Sequence, residues 1–232
     1  MNIKRSVSVS LALIPIFVLN VLITVADAQA TTVDLQFNSL PTQQGWSYQG
    51  IAESTVASVD GTKLTINTIG QGDVGAWYLI PNIVEPDLPF TMAVRVRLLE
   101  NTADINQFSF QIRDGFELWS ASFYNDSVKT PGFLLLPIDW TEFHDFVIEG
   151  IPGVQSNFYI DGELVESTTP FFSNVQSQQI AFGDGDAVPS GSINSFVEIS
   201  QLNFNQVPIP GAVWLFGSGL IGLVFSRRKL RN

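Results

Sequence analysis

The sequence has no cysteine and a single histidine among its 232 residues. The first absence excludes a disulfide framework, a thiolate metal centre and a cysteine nucleophile. The second leaves one imidazole, too few for a histidine-built transition-metal site. Basic residues are scarce as well: 11 Lys and Arg stand against 22 Asp and Glu, a formal charge of −11. Phosphate contacts need cations, so this balance argues against a nucleic-acid binder. What the chain has instead is apolar weight. Hydrophobic residues make up 45% and charged residues 14%, which excludes wholesale disorder. Mean hydropathy is +0.22, high for an acidic protein, and much of the excess lies at the two ends.

At the start, Met1 to Arg5 is a short basic stretch, followed by an apolar run over Leu11 to Val25. Ala28 and Ala30 then supply small residues at the −3 and −1 positions of a cleavage point. This pattern predicts a secretory signal peptide over residues 1–30, cut after Ala30. The alternative, an uncleaved anchor, needs about 20 apolar residues, and the run is shorter.

At the other end, Val207-Pro208-Ile209-Pro210 leads into an apolar stretch from Ala212 to Phe225. A basic tail closes the chain, with Arg227, Arg228, Lys229 and Arg231. A helix over 212–225 would rise about 21 Å, short of a hydrocarbon core of about 30 Å, and is expected as a short transmembrane helix that sits in the membrane transiently or with tilt. The basic tail predicts a cytoplasmic end, with the preceding domain outside. This tail resembles the PEP-CTERM family of sorting signals in its VPLPA-like form, which is also catalogued as an ice-binding-protein C-terminal domain. Pro208, Pro210, Trp214, Arg227, Arg228 and Lys229 carry the resemblance; Ile209 departs from it, standing where a Glu is frequent. The resemblance implies export from a Gram-negative cell through the secretion machinery. It also implies recognition by an exosortase-type membrane enzyme as a partner, and then a cell-surface or extracellular location.

Between the two ends, residues 31–206 hold 5 basic and 21 acidic residues, a net −16. Their length suits one domain with a sizeable core. Period-2 alternation recurs: Val33, Leu35 and Phe37 within residues 31–40, Phe90 to Leu98 with Arg95 and Arg97 on the wet face, Gln107 to Ile112, and Phe116 to Phe123. Asp-Gly pairs at Asp60-Gly61, Asp114-Gly115 and Asp161-Gly162 separate apolar runs and predict hairpins. Late strands are expected at Gln179–Phe182 and Phe196–Phe204, and no stretch reads as a long amphipathic helix. These signals predict an all-β, two-sheet antiparallel jelly-roll sandwich. Trp140 to Glu149, followed by Phe158 to Val165, resembles the concanavalin A-like lectin/glucanase superfamily, including laminin-G-like domains and family-sixteen glycoside hydrolases. Phe196 to Phe204 is similar to the closing strand that those folds return to their first strand.

The glucanase relatives carry Glu-x-Asp-x-x-Glu on one strand. The matching stretch here, Gln107 to Asp126, does not: Asp114 and Glu117 straddle a turn. The domain is therefore expected to be non-catalytic, with Glu117 paired to Asp114 or Asp126 as the residual enzymatic reading. No Gly-x-Ser-x-Gly elbow occurs in the body, and His144 is expected to buttress a strand. Gly183-Asp184-Gly185-Asp186 offers hard oxygens on a turning loop, so a structural Ca²⁺ at Asp184 and Asp186 is the candidate cofactor. Gly70-Gln71-Gly72-Asp73 is a second, weaker cluster. Asp and Gly also simply favour turns. Exposed aromatic faces stack on sugar rings, and Trp119 and Tyr124 are the expected carbohydrate-binding residues. Three functions remain open: a surface or matrix protein that binds polysaccharide, a divergent glycoside hydrolase or lyase, and a structural module for display or assembly.

Overall fold

The computed structural model describes residues 30–71, 75–101, 108–172, 176–184 and 194–206. The expected signal peptide with Ala28 lies outside the described residues. So do the expected sorting segment with Pro208, Pro210, Trp214, Arg227, Arg228 and Lys229, and the candidate ligands Asp73 and Asp186. Ala30 is exposed and precedes the first strand. Among the described residues, no helix is long and apolar enough to cross a membrane.

In chain order the strands are β1 (Thr31–Asp34), β2 (Ser47–Gly50), β3 (Ala57–Val59), β4 (Leu64–Asn67), β5 (Ala76–Pro81), β6 (Phe90–Asn101), β7 (Phe108–Asp114) and β8 (Glu117–Phe123). They continue as β9 (Ser127–Lys129), β10 (Leu135–Pro137), β11 (His144–Ile151), β12 (Gln155–Ile160), β13 (Glu163–Thr168), β14 (Phe171–Phe172), β15 (Gln178–Asp184) and β16 (Ser195–Gln206). The described helices are one 3₁₀ turn at Pro41–Gln44 and one α turn at Glu53–Val56. The strands form two antiparallel sheets. The first runs β13-β12-β11-β6-β16-β4-β3, with β1 also on β16. The second runs β10-β9-β8-β7-β15-β5-β2, with β14 also on β8.

Local chemistry explains the hairpins. Asp161 and Gly162 both have positive φ, 51° and 82°. They join β12 to β13 in a two-residue loop with Ile160 opposite Glu163, the conformation Asp-Gly favours. At the other early turn, Asp60 Oδ1 accepts from the Thr62 and Lys63 amides at 2.9 and 3.1 Å, closing β3 onto β4. The strand expected over 31–40 stops at Asp34 instead. The Gln44 side chain bonds the backbone of Gln36 and Ser39 and bends the chain off the sheet.

Alternation then fills the space between the sheets. The first sheet contributes Phe90, Met92, Val94, Val96, Phe146, Phe158, Val197, Ile199 and Phe204; the second contributes Tyr78, Phe108, Phe110, Trp119, Phe123 and Phe182. Rings meet across the layers: Phe90 and Trp119 edge-on at 4.8 Å, Phe123 and Phe146 at 4.9 Å. Each ring pair adds about 0.5–1.5 kcal/mol beyond its area burial. Every described strand and the whole of this core lie within Thr31–Gln206, so the segment carries what an independent domain needs.

Candidate functional site: the outer face of the second sheet

With Tyr78, Phe110, Ile112, Trp119, Ala121, Phe123, Ile180 and Phe182 turned inward, the pleat turns the residues between them outward. Neighbouring strands β2, β5, β15 and β7 then line a shallow depression of about 130 Å³. Its walls are Gln49, Trp77, Leu79, Gln111, Arg113, Gln179 and Ala181. A second depression follows on β8 and β9, lined by Leu118, Ser120, Ser122, Lys129, Thr130, Pro131 and Phe133. The two are continuous, since Gln111 lies opposite Ser120 and Arg113 opposite Leu118. Amides, hydroxyls, two cations and apolar surface make up this trough. Among the described residues, no Asp or Glu lines either depression.

Its polar groups are partly pre-set. The Arg113 guanidinium donates to the Gln111 side-chain oxygen at 2.9 Å. Phe133 holds a positive φ of 70°, unusual for a bulky residue. The loop imposes it: the Phe133 amide donates to the Thr130 carbonyl at 2.9 Å, and the Leu134 amide to Thr130 Oγ1 at 3.0 Å. The ring is 55% exposed, and Lys129 Nζ lies 4.8 Å from its centroid.

The expected carbohydrate residues are placed differently. Trp119 is wholly buried, so its assignment as an exposed stacking residue is corrected. On β8 it shares the inward set with Ala121 and Phe123, while Leu118, Ser120 and Ser122 take the outer side. The serines were the legible signal that this outer side is wet. Tyr124 is half-buried at the β8 end and lines neither depression. Its amide and carbonyl are committed to Ser127 and to the Trp140 indole. Among the described residues lining the two depressions, the exposed aromatic is Phe133.

Asp184 is not on a loop, which corrects the expectation for that residue. It ends β15, wholly buried. Its Oδ2 accepts from Thr68 Oγ1, from the Ser195 amide at 3.1 Å and from Ser195 Oγ at 2.7 Å. Thr68 and Ser195 belong to the first-sheet side, so this carboxylate clasps one sheet to the other. Among the described residues, no three His, Asp or Glu side chains converge as a metal site would require.

The carboxylates nearest the expected catalytic stretch are engaged structurally. Asp114 Oδ1 accepts from the Phe116 and Glu117 amides at 2.8 and 2.7 Å, capping the β7–β8 turn. Both Glu117 oxygens accept from the Gly153 amide, at 3.1 and 2.9 Å. Burial raises the Glu117 pKa against that amide's pull, and the charges of Asp114 and Asp87 add to the rise. His144 buttresses the start of β11: Nδ1 lies 2.7 Å from Asp161 Oδ2 and Nε2 2.6 Å from the Asp139 carbonyl.

Fold and face together define an all-β, two-sheet antiparallel sandwich with a polar trough on one sheet. No family model and no curated protein matches the chain. Among solved structures, the fold is shared with a β-glucanase of Bacillus licheniformis at TM-score 0.51 and 12% identity, over 75% of this chain and 97% of that one. The catalytic domain of a Thermotoga maritima laminarinase aligns at TM-score 0.51 and 10% identity, over 76% and 98%. β-Agarase A of Zobellia galactanivorans aligns at TM-score 0.50 and 12% identity, over 78% and 94%.

Proposed function

We propose that this is an exported, non-catalytic protein whose β-sandwich holds polysaccharide along the outer face of its second sheet. The observation that carries the reading is the trough's composition. It has Gln49, Gln111 and Gln179 to exchange hydrogen bonds with hydroxyls, an exposed Phe133 for a sugar face, and no carboxylate among its described lining residues. Glycoside hydrolysis needs a carboxyl pair about 5–9.5 Å apart across the bond. The glucanase, laminarinase and agarase that share the fold support a carbohydrate ligand by analogy of fold alone. The signal-like residues 1–30 and the PEP-CTERM-like residues 207–232 support delivery to the surface of a Gram-negative cell through an exosortase-type enzyme. A structural Ca²⁺ involving Asp186 belongs to the same proposal.

A second reading, an enzyme, is favoured by the fold of the neighbours and by the raised pKa of Glu117, a general-acid trait. One experiment separates the two. Residues 31–206 are incubated with a polysaccharide panel, following both binding and the release of reducing or unsaturated ends. Retention without products, weakened by Gln111→Ala and Gln179→Ala but not by Thr65→Ala on the other sheet, supports the binding role. Products that disappear in Glu117→Gln establish the enzyme. Absence of both retention and products rejects carbohydrate as the ligand.

A further inference from the structure

The first and last strands of the sandwich meet at one end. β1 starts at Thr31 opposite Gln206, the last residue of β16; Gln206 also stands opposite Phe90, and Phe90 opposite Gly150 near the close of β11. Two strand spacings, about 10 Å, therefore separate Gln206 from the start of the β11–β12 turn. The second sheet brings its β7–β8 turn to the same end, where the Gly153 amide donates to the Glu117 carboxylate. The loop before β6 is held there too, by the Gln206 side chain on the Glu85 and Leu88 carbonyls. The two turns carry apolar side chains on the outside: Phe116 is 59% exposed, Val154 61% and Ile151 43%. Residues 82–91, 114–117 and 149–155 contain no Lys or Arg, and Glu85 and Asp87 are exposed among them.

We propose, resting on the reading of residues 212–225 as a membrane segment, that this end of the sandwich docks on a zwitterionic lipid surface, with Phe116, Ile151 and Val154 entering the boundary between headgroups and acyl chains. Chain length carries the argument. Only Val207–Gly211, five residues, separate Gln206 from the apolar stretch that starts at Ala212, and five residues reach at most about 18 Å. The opposite end of the sandwich lies about 35 Å away along β6, so a membrane that holds 212–225 meets the Phe116 end. Pro208 and Pro210 favour an extended connection, which carries 212–225 away from the patch instead of back over it. The apolar stretch is short for a bilayer, and a second contact beside it turns a marginal anchor into a stable one. With no cation at this end and a body of net −16, neutral headgroups suit it and anionic ones repel it. The polar trough crosses the strands of the second sheet, so strands standing on the membrane set the trough parallel to it.

A chain without cysteine accepts single labels cleanly. The full-length protein is reconstituted into phosphatidylcholine vesicles with one nitroxide at Phe116→Cys, Ile151→Cys or Val154→Cys. The control is Asn125→Cys, an exposed position in the β8–β9 turn at the other end. Flotation reports anchoring, and relaxation of the nitroxide by oxygen and by a water-soluble nickel chelate reports depth. At the three patch positions the expected result is a loss of access to nickel with a gain in access to oxygen; the control keeps its access to nickel. The three positions are exposed and labelled separately, so misfolding of one variant leaves two readings. Floating protein with every label open to nickel overturns the docking and leaves the membrane segment standing. Protection from both relaxants marks a protein cover, by residues 212–225 or by a second copy, and overturns the lipid assignment. Protein that does not float overturns the membrane segment and the docking together.

Discussion

The imidazole of His144 and the carboxylate of Asp161 meet at 2.7 Å, tying the start of β11 to the β12–β13 turn. Asp161 Oδ1 also accepts from the Asp145 amide at 2.9 Å, so one carboxylate secures both residues at the head of the strand. Burial lowers the His144 pKa, but the bonds to Asp161 and the Asp139 carbonyl outweigh it and leave the value raised. The Asp161 carboxyl is held down: burial raises it, and the His144 and Asp145 bonds more than reverse that.

The pH dependence follows from those signs. A raised histidine contributes stability in full below its unfolded value of about 6.5 and loses it as pH rises through the folded value. A lowered aspartate contributes above about 4 and loses it as pH falls. The pair is therefore most stabilising between those limits. With one histidine in the chain, melting temperatures from pH 6 to pH 8 isolate it. The wild type is expected to lose more than His144→Gln over that interval, and parallel curves would refute the assignment.

Trp119 belongs to stability rather than to ligand contact. Trp119→Ala removes a buried ring packed on Phe90 and is expected to cost about 3–5 kcal/mol. Denaturant titration measures the loss. Glycan affinity per folded molecule is expected to stay the same, and a fall in affinity with unchanged stability would contradict the placement.

Asp184 clasps the sheets through Thr68 and Ser195. Asp184→Ala leaves the buried Ser195 hydroxyl without its acceptor, while Thr68 Oγ1 and the Ser195 amide keep the Ser195 carbonyl and Thr68 Oγ1 as theirs, an expected loss of about 1–3 kcal/mol. The clasp role predicts the same loss in calcium and in chelator. A melting temperature that rises with Ca²⁺ in the wild type and not in Asp186→Asn would instead tie Asp186 to a metal.

Much of the fold was legible because its signals are local. Asp161-Gly162 requires two positive φ values and reads as a turn in any context. Phe90 to Leu98 alternates strictly, and the inward side is the apolar one. The trough was not legible, because Gln49, Gln111 and Gln179 come from three distant segments, joined only by the order β2-β5-β15-β7. Aromatic content alone misled: β8 carries its Trp and Phe inward and its serines outward. The partners of Arg95 and Arg97 were equally out of reach of local signals, because the pairing of β6 with β16 and β11 brings Glu198 and Asp145 to them.

Strand order also sets a timetable. β16 is the last strand of the sandwich, yet it lies between β6 and β4 and also carries β1. Until Ser195–Gln206 arrives, the first sheet is three unconnected pieces, β13-β12-β11-β6, β4-β3 and β1, and the aromatics on its inner side have no closed layer. A chain threaded from its N-terminus therefore stays open for almost the whole passage of the domain. Closure waits for contacts of long sequence separation, with Val33 opposite Phe204 among them. A chain ended after Asn194 is expected to remain protease-sensitive, and folding of such a chain would show that the pieces can close without β16. On the proposed export route, Ser195–Gln206 is the last strand of the sandwich to emerge and the one that joins the rest.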